Sequence, residues 1–116
     1  MKRYKITENN ITYDIKEYPS GTKSWYKNGK RHRIDGPAVE FYNGTKHWFK
    51  NGKLHRNNGP ACEYSRGYSW YVNGLRHREN GPAVEWYYGS KYYYYNGKYL
   101  ENINSNEELK RLFLIQ

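Results

Sequence analysis

A nearly identical unit recurs four times along the chain and limits what it can fold into. The first copy reads Lys-Ser-Trp-Tyr-Lys-Asn-Gly-Lys-Arg-His-Arg from Lys23 to Arg33, and Gly-Pro-Ala-Val-Glu follows from Gly36 to Glu40. The spacing between units is 23, 22 and 23 residues, which predicts a repeat architecture in which each unit packs mainly on its neighbours. The central Asn-Gly pairs of the four units begin at Asn28, Asn51, Asn73 and Asn96.

Each Asn-Gly pair separates two segments of alternating polarity, which is the strongest short-range signal for a β-hairpin. Both residues tolerate the positive φ that a type I′ turn requires. A two-residue loop then pairs Trp25 with His32 across the first hairpin, and the next two units repeat this pairing of Trp with His. A second turn follows in each unit, so we predict about two strands per repeat. These second turns lie at Asn43-Gly44, Arg66-Gly67 and Tyr88-Gly89.

One of these second turns cannot match the others. Eight residues lead from Glu40 to Trp48, but only seven lead from Glu63 to Trp70. Because a slip of one residue moves every side chain of a strand to the opposite face, the difference must be absorbed locally. We therefore predict that the turn at Arg66-Gly67 differs from its counterparts, or that a bulge lies elsewhere in this unit.

The composition favours a thin sheet over a thick globular core. Only 36% of the residues are apolar, against about 45–50% in an ordinary domain, but 15 are Tyr, whose rings have an apolar body and a polar tip. We predict a single mainly β domain over residues 1–116, an elongated antiparallel meander of repeated hairpins with a C-terminal capping α-helix. A degenerate opening hairpin at 4–21 precedes four repeats at 22–101. The helix is predicted at 105–115, where Ser105 and Glu108 form a capping-box pattern.

The charge is strongly positive and unevenly distributed. Twenty Lys and Arg against eleven Asp and Glu give a formal net charge of +9, and residues 22–56 contain nine basic side chains but only two acidic ones. This excess favours anionic partners, although a solvated, solubilising surface would have the same composition. Cys62 is the only cysteine, which excludes an intrachain disulfide. No long apolar stretch occurs, so we expect a protein of the host cell cytosol with no membrane partner.

The repeat also resembles a known class. Its unit, Trp-Tyr-x-Asn-Gly-Lys-x-His-Arg-x-x-Gly-Pro-Ala-x-Glu, is similar to the MORN-like repeat variant of small tailed-phage and giant-virus proteins, and the similarity extends from Lys23 to about Leu100. The resemblance implies an elongated, twisted sheet of hairpins that serves as a binding or assembly scaffold of viral origin, without a catalytic set. In the last unit Tyr99-Leu100-Glu101 replaces His-Arg, which indicates a capping repeat.

The repeated His, Arg and Glu side chains suggest metal or catalytic sites, but their spacing favours structural roles. Equivalent residues one repeat apart are separated by two strand spacings, about 9–10 Å, whereas zinc ligands lie about 2.1 Å from one shared ion. We interpret each His as packed on Trp and each Arg as paired with Glu, with an acid/base pair or an anion clamp as the functional alternative. The columns are His32, His55 and His77; Arg33, Arg56 and Arg78; and Glu40, Glu63 and Glu85.

No catalytic or cofactor-binding motif is present in the sequence. Cys62 occupies the place of Val39 and Val84 in the neighbouring units, which indicates a small buried side chain rather than a nucleophile. No serine, base and orienting acid occur together, and there is no phosphate-binding loop or Cys-x-x-Cys pair. We therefore expect neither an enzyme nor a cofactor or metal ion.

Basic and aromatic side chains that exceed the needs of the repeat are the candidate binding residues. Lysines flank Trp25 and Trp48 on one predicted face, and the four consecutive tyrosines at 92–95 place rings on both faces. Such rings stack on bases while cations contact phosphates, although the same rings would also serve as cross-strand packing. The candidate ligand-binding residues are Trp25, Lys27, Arg31, Trp48, Lys50, Tyr92 and Tyr94.

These features predict a non-enzymatic, phage-type protein that captures or blocks a host component. Nucleic acid or a nucleotide signal is the favoured ligand, because basic and aromatic side chains are interleaved. The alternative is a protein–protein inhibitor of a host defence protein, or an oligomeric scaffold, since Tyr, Trp and Arg are also enriched in interface hot spots. A homo-oligomer is a further alternative, because an exposed edge strand could pair with the same strand of a second copy.

Overall fold

The structure is a computed structural model that describes residues 1–115, with side chains up to Phe113. It confirms the predicted fold class, because antiparallel hairpins form an open, mainly β sheet that is followed by one short C-terminal helix in the described residues. The molecule is elongated, with extents of 49 × 30 × 20 Å.

Two long strands open the sheet, as predicted. β1 (Lys2–Glu8) pairs with β2 (Ile11–Glu17) around Asn9-Asn10, where both asparagines adopt positive φ. β3 (Lys23–Lys27) pairs with β2 on one side and with β4 (Lys30–Arg31) across the first Asn-Gly turn.

The remaining strands are only two or three residues long, and they alternate between the main sheet and separate hairpins. The main sheet runs in the order β1-β2-β3-β5-β6-β9-β10-β13-β14, and the pairs β7-β8, β11-β12 and β15-β16 form three two-stranded sheets. In chain order they are β5 (Val39–Glu40), β6 (Lys46–His47), β7 (Phe49–Lys50), β8 (Lys53–Leu54), β9 (Cys62–Tyr64), β10 (Gly67–Ser69), β11 (Tyr71–Val72), β12 (Leu75–Arg76), β13 (Val84–Trp86), β14 (Lys91–Tyr92), β15 (Tyr94–Tyr95) and β16 (Lys98–Tyr99).

The prediction of about two strands per repeat is therefore wrong, because the chain leaves the main sheet at Trp48, Trp70 and Tyr93 and forms a separate hairpin after each of them. Trp48 lies between β6 and β7, and its N–H donates to the carbonyl of Ala61 at 2.7 Å. Beyond it, the hairpin bonds to the preceding hairpin, with the Gly52 N–H donating to the carbonyl of Arg31 at 2.8 Å. The Asn-Gly hairpins thus stack on one another beside the main sheet.

The predicted turn chemistry is confirmed. All four Asn-Gly pairs have positive φ at both residues, as a type I′ turn requires. The irregular second turn also lies where the spacing predicts it. The Phe41 N–H donates to Thr45 and closes a three-residue loop at 42–44, whereas Tyr64 pairs directly with Gly67 and leaves a two-residue loop.

The two ends of the repeat array are covered by different elements. At the first end, Tyr13 and Ile15 of the opening hairpin form a buried cluster with Trp25 and Ala38. At the other end lies α1 (Asn106–Ile115), which begins where the Ser105 Oγ accepts the N–H of Glu108 at 3.2 Å. Its Leu109 is fully buried, and the Phe113 ring lies 5.1 Å from that of Tyr95. The helix therefore packs on the last repeat.

Candidate anion-binding site

The arginines of the repeat are structural cations. Each guanidinium lies flat over the Trp of its own unit and donates to the carbonyl of the proline four residues later at 3.1–3.2 Å. A Cβ on the glycine before that proline would lie 2.7–2.8 Å from the guanidinium, so a larger residue there would displace the arginine from this position. The guanidinium-to-ring distances are 3.7 Å for Arg33 over Trp25, 3.8 Å for Arg56 over Trp48 and 4.0 Å for Arg78 over Trp70.

Two of the three predicted Arg–Glu pairs form. Arg33 lies 3.1 Å from Glu40 and Arg56 lies 2.8 Å from Glu63. Arg33 also binds Glu8 of the opening hairpin at 2.8 Å, and this contact lowers the pKa of that carboxyl group. In the third unit the predicted pair is not direct, because the Tyr68 hydroxyl lies between Arg78 and Glu85 and bonds to both. These arginines are not available as free anion-binding groups.

The histidines connect successive hairpins. His32 is paired with Trp25 through the backbone, as predicted, but its Nδ1 accepts the N–H of Asn51 in the next Asn-Gly turn at 2.9 Å. Burial, together with the nearby ammonium groups of Lys27 and Lys50, lowers the pKa of His32. His55 and His77 accept the N–H of Asn73 and Asn96 in the same way, at 3.0 and 2.9 Å. In residues 1–115 no three His, Cys, Asp or Glu side chains are grouped as metal ligands.

Four lysines on the first two Asn-Gly hairpins have no acidic partner in the part of the chain that the structure describes. Within the described residues, none of them has a carboxylate oxygen within 4.0 Å. The hairpins that carry them are in contact, because a Cβ on Gly52 would lie 3.7 Å from the Lys30 side chain. We call this group the lysine quartet, which comprises Lys27, Lys30, Lys50 and Lys53.

The quartet consists of two directly opposed pairs of like charges. Lys27 faces Lys30 across the first hairpin, and Lys50 faces Lys53 across the second. Like charges at directly opposed positions destabilise a strand pair. The turn geometry does not require them, because the third hairpin is built with Val72 and Leu75 at the same two positions. The third hairpin therefore shows that the opposed lysines are not needed to form a hairpin of this type.

A groove lies beside the quartet, between the His-Arg loops of the first two units, and we call it the first groove. Its volume is about 490 Å³. Lys50 belongs to both the quartet and this groove, and Ile34, at its edge, is 59% exposed. The residues that line it include Ile34, Asp35, Trp48, Lys50, Arg56 and Asn58.

A second groove of about 610 Å³ repeats the arrangement one unit later, without a free cation. Val72 takes the place of Lys50, Asn57 takes the place of Ile34, and Glu79 takes the place that Asn57 has in the first groove. The first groove is therefore the one of the two whose lining includes a lysine.

The predicted binding residues are only partly brought together. Trp48, Lys27 and Lys50 lie at the quartet or in the first groove. Trp25 does not belong to the surface: it is only 3% exposed, because Tyr13 and Arg33 cover it as part of the core, and its ring cannot receive a ligand. The prediction for Trp25 is corrected accordingly.

Arg31 lies on the opposite face of the first hairpin from the quartet. It pairs with Tyr26 in the ladder, next to the Lys27–Lys30 pair, so its side chain points the other way. Its guanidinium lies 5.6 Å from the Phe49 ring, and its charge lowers the pKa of His47, which burial already depresses.

Tyr92 and Tyr94 lie at the far end of the array, away from the lysines. Both rings contact Tyr99, at 6.3 and 5.4 Å, and Arg76 lies 5.4 Å from the Tyr94 ring. They form an aromatic cluster of the last hairpin, separate from the first groove.

Sequence reasoning missed Lys30, Lys53 and Ile34. The signal for the two lysines was present, because a two-residue Asn-Gly loop fixes which residues face each other and gives Lys27–Lys30 and Lys50–Lys53 directly. No comparable signal marks Ile34, since only the folded loops show that it lines a groove.

A second exposed feature lies at the other turns of the sheet, and we call it the tyrosine rim (Tyr42, Tyr87 and Tyr88). These side chains are 73%, 73% and 66% exposed. The loops that carry them are fixed, because the Tyr42 N–H donates to Thr22 Oγ1 at 3.2 Å and the Tyr87 N–H donates to the carbonyl of Arg66 at 2.7 Å.

No family model matches the chain, and no curated protein or solved structure is significantly similar to it. Within residues 1–115, no helix has the length and apolar character needed to cross a membrane.

Proposed function

We propose that this protein is a non-enzymatic binding protein that captures nucleic acid through the lysine quartet. The observation that carries the proposal is the direct opposition of Lys27 to Lys30 and of Lys50 to Lys53 on two stacked hairpins. A row of phosphates would relieve the repulsion between these ammonium groups, and binding would release the counterions that phosphates otherwise hold.

The extent of the quartet favours a chain of phosphates over a single nucleotide. Consecutive hairpins are two strand spacings apart, about 9–10 Å, so the four ammonium groups cover more than one phosphate. The resemblance to MORN-like repeat proteins of tailed phages and giant viruses suggests that the nucleic acid belongs to a host or to the virus that infects it.

The test compares two triple variants that change the net charge equally. One replaces three exposed quartet lysines with Gln and the other replaces three exposed lysines elsewhere, and each is measured with fluorescein-labelled (dT)12 at 0.1 M salt. The quartet variant is Lys30→Gln/Lys50→Gln/Lys53→Gln and the control is Lys2→Gln/Lys91→Gln/Lys110→Gln.

We expect the quartet variant to lose about 100-fold in affinity, because each phosphate contact to a single strand contributes about fivefold at this salt concentration. The control should lose much less. Equal losses in the two variants would show that only net charge matters, and the proposal would then be wrong. ATP at the same phosphate concentration serves as the comparison ligand and should bind more weakly than the oligonucleotide.

A second candidate function is binding to a host protein through the tyrosine rim. Exposed Tyr on short loops that contain Ser, Gly and Asn supplies rigid contact area at low entropic cost, as in antibody loops. This candidate becomes the preferred one if oligonucleotides do not bind to the wild-type protein at low salt.

A further inference from the structure

We infer that the first groove holds one unpaired base of the strand whose phosphates lie on the lysine quartet. The inference rests on the proposed function and specifies its ligand as single-stranded nucleic acid. Lys50 joins the two sites, since its ammonium group belongs to the quartet while its side chain lines the groove.

The lining of the groove fits a flat, partly polar ring. Trp48 offers an aromatic surface, and the exposed Ile34 offers an apolar edge on the first His-Arg loop. The side chain of Asn58 also lines the groove, and an amide can both donate to and accept from the edge of a base. The volume of about 490 Å³ lies within the usual range for small-ligand sites, about 300–1,000 Å³.

The walls of the groove are fixed before a ligand arrives. Each of the two His-Arg loops is held by its own arginine, which stacks on Trp and donates to a proline carbonyl, with Arg33 in the first loop and Arg56 in the second. The His32 imidazole accepts the Asn51 N–H and fixes the second hairpin against the first loop. A preformed site loses little entropy on binding, so a single base is sufficient to add measurable affinity.

The second groove has a similar shape but lacks the lysine that links the first groove to the quartet. There Val72 replaces Lys50, so a phosphate beside that groove would meet no lysine, while each groove has one carboxylate, Asp35 in the first and Glu79 in the second. The structure thus assigns one base-binding groove to the protein, although the repeat supplies two grooves of similar shape.

The experiment compares three probes of equal length: (dT)12, a 12-mer of abasic sugar-phosphate units, and a 12-base-pair duplex. The abasic strand has the same phosphates as (dT)12 but no bases. We expect (dT)12 to bind about tenfold more tightly than the abasic strand, because one stacked base contributes within this range. The duplex cannot place a base in the groove without unpairing it, so its affinity should depend on its phosphates and not on the groove.

Matched variants locate the effect in the first groove. Ile34→Asn introduces the residue type that the second unit has at Asn57, and Leu75→Asn makes the same kind of change at an exposed position outside the groove. Ile34→Asn should reduce the preference for (dT)12 several-fold and leave the affinity for the abasic strand unchanged, while Leu75→Asn should change neither. Trp48→Phe should also reduce the preference, and Trp70→Phe, which loses the equivalent ring in the next unit, should not.

The outcomes separate this inference from the function on which it rests. If (dT)12 and the abasic strand bind equally and both depend on the quartet, the base site is wrong and the phosphate site stands. If no probe binds at low salt, both proposals are wrong.

Discussion

Basic residues have different roles in this molecule, and their contacts show which role each one has. Arg33 stacks on Trp25, binds Glu8 and Glu40, and donates to a proline carbonyl, so its charge is used within the fold. Lys50 has none of these contacts and faces Lys53. Counting charges therefore overstates the binding surface, because the charge of an arginine such as Arg33 is already used within the fold.

His32 gives a prediction for pH dependence. In the folded protein its neutral ring accepts the Asn51 N–H, and burial with Lys27 and Lys50 nearby lowers its pKa. The unfolded chain takes up the proton at about pH 6.5, so the unfolding free energy should fall as pH drops below about 6.5, until the folded pKa is also passed. His32→Asn keeps an acceptor that does not titrate.

The measurement is urea unfolding of both proteins between pH 5 and pH 7.5. The carboxylates titrate in both, so the difference between the two curves isolates His32. The variant should show the flatter dependence. Parallel curves would contradict a buried, neutral acceptor at this position.

At the scale of elements, the Asn-Gly hairpin is a unit whose surface can be changed independently of its turn. Lys27–Lys30, Lys50–Lys53 and Val72–Leu75 occupy the same opposed positions on three hairpins. The repeat therefore fixes the backbone at these positions and leaves the side chains free to vary.

Transplanting the lysines into the third hairpin tests this independence. Val72→Lys/Leu75→Lys should extend the quartet by two ammonium groups, and the affinity for (dT)12 should rise. The plot of log affinity against log salt should become steeper by about 1.4, since each contact to a single strand adds about 0.7. The control is Val72→Gln/Leu75→Gln, which should leave the slope unchanged. A folded lysine variant with the wild-type slope would show that the position of the lysines does not determine binding.

The sequence predicts a turn, hairpin or helix start correctly where the residues that determine it are close together in the chain. The Asn-Gly turns, the opening hairpin, the short loop after Tyr64 and the helix start at Ser105 depend on residues close together in the chain. The bend at Trp48 was not predicted, because it arises from hydrogen bonds between neighbouring repeats. For the same reason the burial of Trp25 was missed, since it depends on Tyr13 of the opening hairpin.

For the molecule as a whole, the repeat array has two distinct surfaces at its opposite turns. The Asn-Gly turns of the first two units present the lysine quartet, while the other turns present the tyrosine rim. The opening hairpin covers one end of the array and α1 covers the other. We propose that the lysine quartet, and not the tyrosine rim, binds the phosphates of a nucleic acid strand.

The salt dependence of (dT)12 binding tests that claim most directly. For the wild-type protein, the slope of log affinity against log salt should be about −3, because four phosphate contacts each contribute about −0.7. Replacing all four quartet lysines with Gln should bring the slope close to zero. A wild-type slope near zero, or a slope that stays about −3 in the fourfold variant, would show that the lysine quartet does not bind the phosphates.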